Sequence, residues 1–282
     1  MAAALPYRGR FAPTPSGPLH LGSLVAALAS YLDARAHHGD WLVRIEDIDE
    51  PRSVPGAAEV ILEQLHDHGL LWQSEVIYQS QRKARYQQVI EHLQEANLTY
   101  LCNCTRQQIK ARGPHYQGYC RERQLAPGKH AVRFRNNATI NSFSDRLLGL
   151  LAVDAEAAAE DFLLFRRDGL FTYQLAVVVD DIDQHITDIV RGADLIEATP
   201  WQLLLWQQLS ERQPAFAHVP LVTDAKGRKL SKQNHAPALS AQRVVEQLQQ
   251  ACSYLQLPLH GAKTRGDILQ QATVAWQRRW LP

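Results

Sequence analysis

The sequence has no uninterrupted apolar stretch near the roughly 20 residues needed to cross a bilayer, and Met1 to Arg10 lacks the hydrophobic core of a signal peptide. Membrane insertion and export are therefore not expected, and the chain reads as cytoplasmic. Cysteine is scarce, four in 282 residues. Without a secretory signal these are expected to stay reduced, which excludes a disulfide scaffold. Net charge is almost absent, at +1, so the chain as a whole is no polycation. The charge that is present lies unevenly. Residues 106–135 hold eight Lys/Arg against Glu122 alone, and residues 226–282 hold nine against Glu246 and Asp267. Each stretch is either an ordinary solvated face or a surface that follows a polyanion backbone. Hydrophobic residues make up 45%, ample for one large domain or two modest ones.

The N-terminal stretch organises the rest. Arg8 to Ala12 reads as a strand, and Pro13, Pro15, Gly17 and Pro18 stiffen the loop that follows. Ser23 is the expected N-cap of a helix over Leu24 to Ala36, Gly39 its stop, and Trp41 to Ile45 a second strand. A strand–loop–helix–strand unit builds a parallel sheet with a right-handed crossover. The free N–H groups and the dipole of the helix start hold anions. Gly22 admits a flat group, and His20 sits where a phosphate or purine would rest. Glu46 follows the second strand, at the carboxyl end where open α/β sheets bind ligands; its carboxylate suits the ammonium of an amino acid. Asp47 and Asp49 read instead as caps of the next element. Helices are expected at Ala57 to His68, with Val60, Ile61 and Leu65 inward, and at Arg82 to Ala96, with Tyr86, Val89, Ile90 and Leu93 inward.

Cys102 and Cys104, with Cys120 sixteen residues after the second, supply three thiolates to a tetrahedral zinc site. His115, Tyr116, Tyr119 and His130 are the candidates for the fourth place, and coordination chemistry favours the imidazole of His115. Cys252 has no partner nearby and reads as a small buried residue. Strands and turns are expected over Gly128 to Val153, a strand at Asp161 to Arg166 and a turn at Arg167 to Gly169. Periodicity does not decide whether Ala176 to Val179 is helix or strand. Ile186 to Val190 reads as a strand with Arg191-Gly192 at its carboxyl end, and Thr199 to Ser210 as a Trp- and Leu-rich helix. The planar guanidinium of Arg191 suits a carboxylate ligand, and Arg10 is a second clamp of the same kind.

Two segments carry a family resemblance. Phe11-Ala-Pro-Thr-Pro-Ser-Gly-Pro-Leu-His-Leu-Gly22 resembles the signature loop of class I glutamyl-tRNA synthetases, and Lys229-Leu-Ser-Lys-Gln233 their mobile Lys-x-Ser-Lys loop. Ser23 and Gln233 depart from that pattern. The resemblance implies an α/β fold, a class I Rossmann-type parallel sheet with a zinc-bearing insertion and a short helical C-terminal region. It implies ATP binding by His20, Gly22, Ser23, Lys229, Ser231 and Lys232, with His20, Gly22, Lys229 and Lys232 in the catalytic role. It implies glutamate binding by Arg10, Phe11, Ala12, Pro13, Thr14, Glu46, Tyr173 and Arg191, through Arg-Ile-Glu-Asp47 and the Tyr173…Val-Asp-Asp181…Arg-Gly-Ala-Asp-Leu195 block. With these motifs present, the basic stretches read as tRNA contacts.

Tyr116-Gln-Gly-Tyr-Cys120 is similar to the Tyr-x-x-x-Cys element of the short glutamyl-Q tRNA(Asp) synthetases. The likeness implies a structural zinc held by Cys102, Cys104, Tyr116 and Cys120. Only 50 residues follow Lys232, and a large anticodon-reading region is not expected among them. Members of that family activate glutamate with Mg-ATP in the absence of tRNA and esterify it to queuosine in the anticodon of tRNA(Asp). The expected organisation is residues 1–98 and 161–225 as two halves of a catalytic core, 99–160 as the zinc-bearing insertion, and 226–282 as the signature loop and C-terminal region.

Overall fold

The computed structural model describes residues 6–126, 128–223 and 237–281. In chain order the elements are strand β1 (Arg8–Phe11), helix α1 (Leu21–Ala36), β2 (Asp40–Ile45), α2 (Ala57–Asp67), β3 (Ile77–Tyr78), α3 (Lys83–Glu95), β4 (Thr99–Cys102), α4 (Arg106–Lys110), β5 (Ala131–Phe134) and β6 (Ser142–Asp145). There follow β7 (Gly149–Ala152), α5 (Ala155–Ala158), β8 (Leu163–Phe165), α6 (Tyr173–Asp183), β9 (Asp188–Gly192), α7 (Thr199–Leu209), β10 (Ala215–Val219), α8 (Val244–Tyr254) and α9 (Arg265–Trp280).

Parallel strands form two halves, β1-β2-β3 and β9-β10-β6, with β7 antiparallel on the outer edge of β6. The halves meet where β1 and β9 start: Thr187 N–H donates to the Arg8 carbonyl at 2.9 Å, and Arg8 N–H to Thr187 Oγ1 at 2.8 Å. A third, antiparallel sheet, β4-β5-β8, stands apart. The β6–β7 hairpin lies within the span expected for the insertion, yet it pairs with β10 of the parallel sheet.

Helix α1 packs under the sheet with Leu24, Leu28 and Leu32 fully buried among Trp41, Val43 and Ile45. It starts three residues before the expected point, because His20 is the N-cap. The imidazole Nδ1 accepts from Ser23 N–H at 3.2 Å, and Ser23 Oγ accepts from His20 N–H at 2.8 Å. This reciprocal box satisfies two donors at the helix start. At the other end the chain turns so close to Tyr7 that a Cβ on Gly39 would lie 2.4 Å from the Tyr7 carbonyl oxygen. Buried Asp33, on the same helix, collects Tyr7 Oη at 2.5 Å, Trp276 Nε1 at 2.9 Å, and Arg146 through Nη1 at 2.6 Å and Nη2 at 3.0 Å.

Helix α2 buries Ile61 and Leu65 but leaves Val60 exposed, whereas all four apolar residues expected to face inward on α3 do so. Asp47 does not cap the element that follows it; its carboxylate accepts from Ser80 N–H and Oγ, far along the chain. Asp49 pairs with Arg52 at 2.6 Å instead of capping. The apolar run 176–179 is helical, part of α6, buried against Tyr86, Phe134 and Leu204. Asp180, Asp181 and Asp183 crowd the last turn of α6, where the helix dipole disfavours anions. Arg10, Arg44, Arg82 and Arg85 converge there and offset the repulsion. No helix among the described residues is long and apolar enough to cross a membrane.

Candidate active site and metal centre

Two cavities open at the carboxyl ends of the parallel strands. The larger, about 450 Å3, is lined by Phe11 and Gly192 from the ends of β1 and β9, by Val219 from β10, and by His20, Gly22 and Ser23 from the start of α1. The smaller, about 220 Å3, is lined by Glu46, Gln79, Phe171 and Tyr173 among others. Thr14 and Arg52 line both, so the cavities adjoin. The crevice lies where the two halves of the sheet diverge, the place at which open α/β folds bind nucleotides.

Of the residues singled out from sequence, Phe11, Pro13, Thr14, His20, Gly22 and Ser23 line the larger cavity, and Thr14, Glu46 and Tyr173 the smaller. Ala12 joins β1 to the loop beside them. Because His20 Nδ1 accepts from Ser23, the ring proton sits on Nε2, a donor suited to phosphate. Lys229, Ser231 and Lys232 lie outside the described residues. The chain on either side of them reaches the site: Val222 lines the larger cavity, and Ala238 forms a β-bridge with His20.

Arg10 and Arg191 lie buried beneath these walls. Arg10 grips Asp181 through Nε at 3.0 Å and Nη2 at 3.1 Å, and Arg44 reaches the same carboxylate at 2.7 Å. Burial works against the Asp181 charge, but the two guanidiniums outweigh it and hold the carboxyl below its ordinary value. Glu46 accepts from Arg44 at 3.1 Å; there burial prevails over Arg44 and Arg10 and pushes the carboxyl up. Burial and the nearby Glu46 charge raise the Tyr173 phenol.

Arg191 differs from its neighbours. Its donors go to His218 Nε2 at 3.0 Å, Gln202 Oε1 at 2.6 Å, Thr199 Oγ1 at 2.8 Å and the Leu195 carbonyl at 3.3 Å, all neutral acceptors. Buried Arg10, Arg44 and Arg133 each have a carboxylate within 4.0 Å; among the described residues Arg191 has none. Burial accordingly lowers its pKa.

The metal-ligand expectation converges in space. The Sγ atoms of Cys102, Cys104 and Cys120 lie within 4.8 Å of one another. Tyr116 Oη is 3.5 Å from Cys102 Sγ and accepts from Cys120 N–H at 2.9 Å. His115 turns towards Glu160 and Asp154, at 3.6 and 3.9 Å, so the phenol and not the imidazole faces the thiols. The Arg133 guanidinium stacks 3.6 Å over the Tyr116 ring, while burial and the hydrogen bond to Cys102 push the phenol well above its ordinary value. Burial opposes the Cys120 thiolate, yet contacts from Asn103, Tyr116 and Cys104 hold the thiol down at about 7. Three soft sulfurs and one oxygen fit a four-coordinate structural site. Cys252 is fully buried away from them, its thiol pushed up to about 12. Cys120→Ala is expected to lower the thermal midpoint by roughly 5–10 °C with ATP affinity retained, as scanning calorimetry beside nucleotide titration would read. A normal midpoint with lost ATP binding would count against a structural role.

The basic stretches are less free than their composition implies. Arg121 and Arg133 fold inward onto Asp161 and Glu160, and Arg135 pairs with Glu122. Arg265 and Arg279 donate to backbone carbonyls at the ends of α2 and α8. The residues that sequence reasoning missed are Asp181, Arg44, His218 and Asp145. Asp181 lay within a quoted motif, and His218 is a lone imidazole in an apolar strand. Asp145 carries no sequence signal.

This architecture, two half-sheets with a nucleotide-sized crevice at their divergence, is the catalytic domain of a class I aminoacyl-tRNA synthetase, a ligase. Residues 7–259 match the family described as tRNA synthetases class I (E and Q), catalytic domain. The glutamate-tRNA synthetase of Elizabethkingia anophelis has a similar crystal structure, with a TM-score of 0.70 and 30% identity over 81% of this chain. The chain covers 53% of that synthetase, about half its length. The glutamyl-Q tRNA(Asp) synthetase of Idiomarina loihiensis is 54% identical over 277 residues, 97% of this chain and 98% of the relative. That of Escherichia coli strain K12 is 54% identical over 233 residues, 83% of this chain and 76% of the relative. The chain belongs to the glutamyl-Q tRNA(Asp) synthetase family.

Proposed function

We propose that the chain activates glutamate with Mg-ATP, without tRNA, and passes it to queuosine in the anticodon of tRNA(Asp). The observation that carries this reading is the junction of the two cavities at Thr14 and Arg52. ATP occupies the larger, its phosphates against the start of α1 and the Nε2–H of His20. Glutamate occupies the smaller, its ammonium on Glu46 beside Tyr173. Its side-chain carboxylate meets Arg191 and the remaining Nη1 of Arg10. The α-carboxylate then faces the α-phosphate across Thr14. A carboxylate oxygen bonds to that phosphorus as the bond to pyrophosphate breaks. Lys229 and Lys232 neutralise the leaving charge, so the chemistry is positioning and electrostatics with no covalent enzyme intermediate. A hydroxyl of queuosine next attacks the activated carbonyl and AMP departs.

Zinc, which Cys102, Cys104, Tyr116 and Cys120 would hold, would supply structure to an insertion within residues 99–160, between the core halves 1–98 and 161–225; residues 226–282 carry the signature loop and the C-terminal region. Glutamate-dependent ATP–pyrophosphate exchange without tRNA tests the first step. Labelling of tRNA(Asp) with and without queuosine tests the second. Exchange only when tRNA is added, with charging of tRNA(Glu), would replace this reading by a minimal glutamyl-tRNA synthetase. No exchange under either condition would leave a binding module.

A further inference from the structure

Arg191 is oriented by groups that do not cancel its charge, and one of these, His218, is itself held by a carboxylate. The imidazole has no solvent exposure; it is stacked 4° from parallel on Phe216 and meets Phe143 at its edge. Its Nδ1 is 2.7 Å from Asp145 Oδ2. A carboxylate only accepts, so the proton is on Nδ1 and the Nε2 lone pair receives Arg191 Nε–H at 3.0 Å. Asp145 is itself fixed, accepting backbone N–H from Leu147 at 2.9 Å, Leu148 at 3.0 Å and His218 at 3.0 Å. Burial pushes His218 below its ordinary pKa, the Asp145 bond pulls the other way, and Arg191 adds to the push; the net direction favours neutral imidazole.

We propose that Asp145 and His218 form a positioning relay that aims Arg191 at the substrate's side-chain carboxylate and so sets the preference for glutamate over glutamine. A carboxylate in the place of His218 would hold the guanidinium equally still but would neutralise it, and an anionic substrate would then gain little. The imidazole fixes direction while keeping the negative charge of Asp145 one ring-width away. The substrate carboxylate thereby becomes the nearest counter-ion to a buried cation; neutral glutamine leaves that cation unpaired. Because Asp145 belongs to the β6–β7 hairpin, the relay also joins that hairpin to amino-acid selection. The proposal rests on the reading of Arg191 as a glutamate contact.

Two substitutions separate the relay from simple packing. Gln at 218 returns an oxygen near the position of Nε2, and Asn returns a donor near Nδ1 but no acceptor for Arg191. In the full-length protein, His218→Asn is expected to raise the glutamate Kd and KM roughly 10- to 100-fold. The KM for ATP stays unchanged, discrimination against glutamine shrinks, and His218→Gln recovers most of the loss. Equal effects of the two substitutions, or a parallel change in the KM for ATP, would overturn the relay. Nitrogen-15 spectra of the unmutated protein give an independent reading: His218 protonated on Nδ1 agrees with it, and protonation on Nε2 overturns it. Arg191→Ala with an unchanged glutamate Kd would instead overturn the underlying reading of the pocket, which keeps the two failures distinct.

Discussion

Asp181→Ala lowers the unfolding free energy by about 3–5 kcal/mol, read as a fall in the urea midpoint, because it strands the buried guanidinium of Arg10 and takes from Arg44 one of the three carboxylates around it. Arg10 and Arg44 both end on this carboxylate, and all three side chains are essentially buried. Removing one of two partners in such a cluster is costlier than never having built it, since the cations keep their desolvation penalty and lose the anion that offset it. The same logic gives the pH dependence. The folded-state pKa of Asp181 is depressed, so its contribution is complete above the unfolded-state value near 4 and is lost as pH falls from there through the folded value. Unfolding curves collected down that acid range should therefore decline more steeply for the unmutated protein than for Asp181→Ala. Equal steepness would mean that the carboxylate is not the anchor its geometry describes.

Arg191→Met has the opposite signature. Loss of the guanidinium removes a buried charge with no carboxylate beside it among the described residues. It also leaves Gln202 Oε1, Thr199 Oγ1 and His218 Nε2 short of a donor. These effects oppose each other, and stability is expected to stay within about 1 kcal/mol of the parent. Glutamate-dependent exchange, in contrast, falls by about 30- to 3,000-fold, the equivalent of about 2–5 kcal/mol for a truncated buried charge contact. Arg191→Lys does not rescue it, because an ammonium lacks the planar fork. A large loss of stability with little change in the KM for glutamate would make Arg191 a structural residue. The pair of substitutions thus separates two buried carboxylate–arginine arrangements, one complete within the protein and one completed by substrate.

Local chemistry made the first unit of the fold legible. Prolines and glycines bound the loop, and the Ala- and Leu-rich run and Trp41 to Ile45 keep the periodicities of helix and strand. The Cys-x-Cys spacing likewise located the thiols; coordination chemistry alone put His115 ahead, the family resemblance pointed to Tyr116, and in the folded loop it is the phenol that faces the thiols. Where the sequence left a choice open or misled, the folded surroundings decided. Val177, Val178 and Val179 have strand propensity, yet they lie on α6 because its burial against α3 and α7 outweighs a few tenths of a kcal/mol per residue. Ser23 looked like a cap by composition, but the imidazole three residues earlier took that role. The charge count over residues 106–135 missed Asp161 and Glu160, which lie downstream and neutralise part of it. Asp145 and His218 are 73 residues apart and meet only because β6 and β10 are neighbours. No window along the chain contains both.

Asp33 binds together parts of the chain that are synthesised at very different times. It emerges with the first helix, yet one of its hydrogen bonds waits for Trp276, 243 residues later, and two more for Arg146. A nascent polypeptide on the ribosome therefore lacks the cation that balances this carboxylate until Arg146 emerges, and the last of its hydrogen bonds until α9 does. Helix α1 is thus among the last parts of the fold to be locked, and chains that stop short of α9 are expected to be more open to proteolysis.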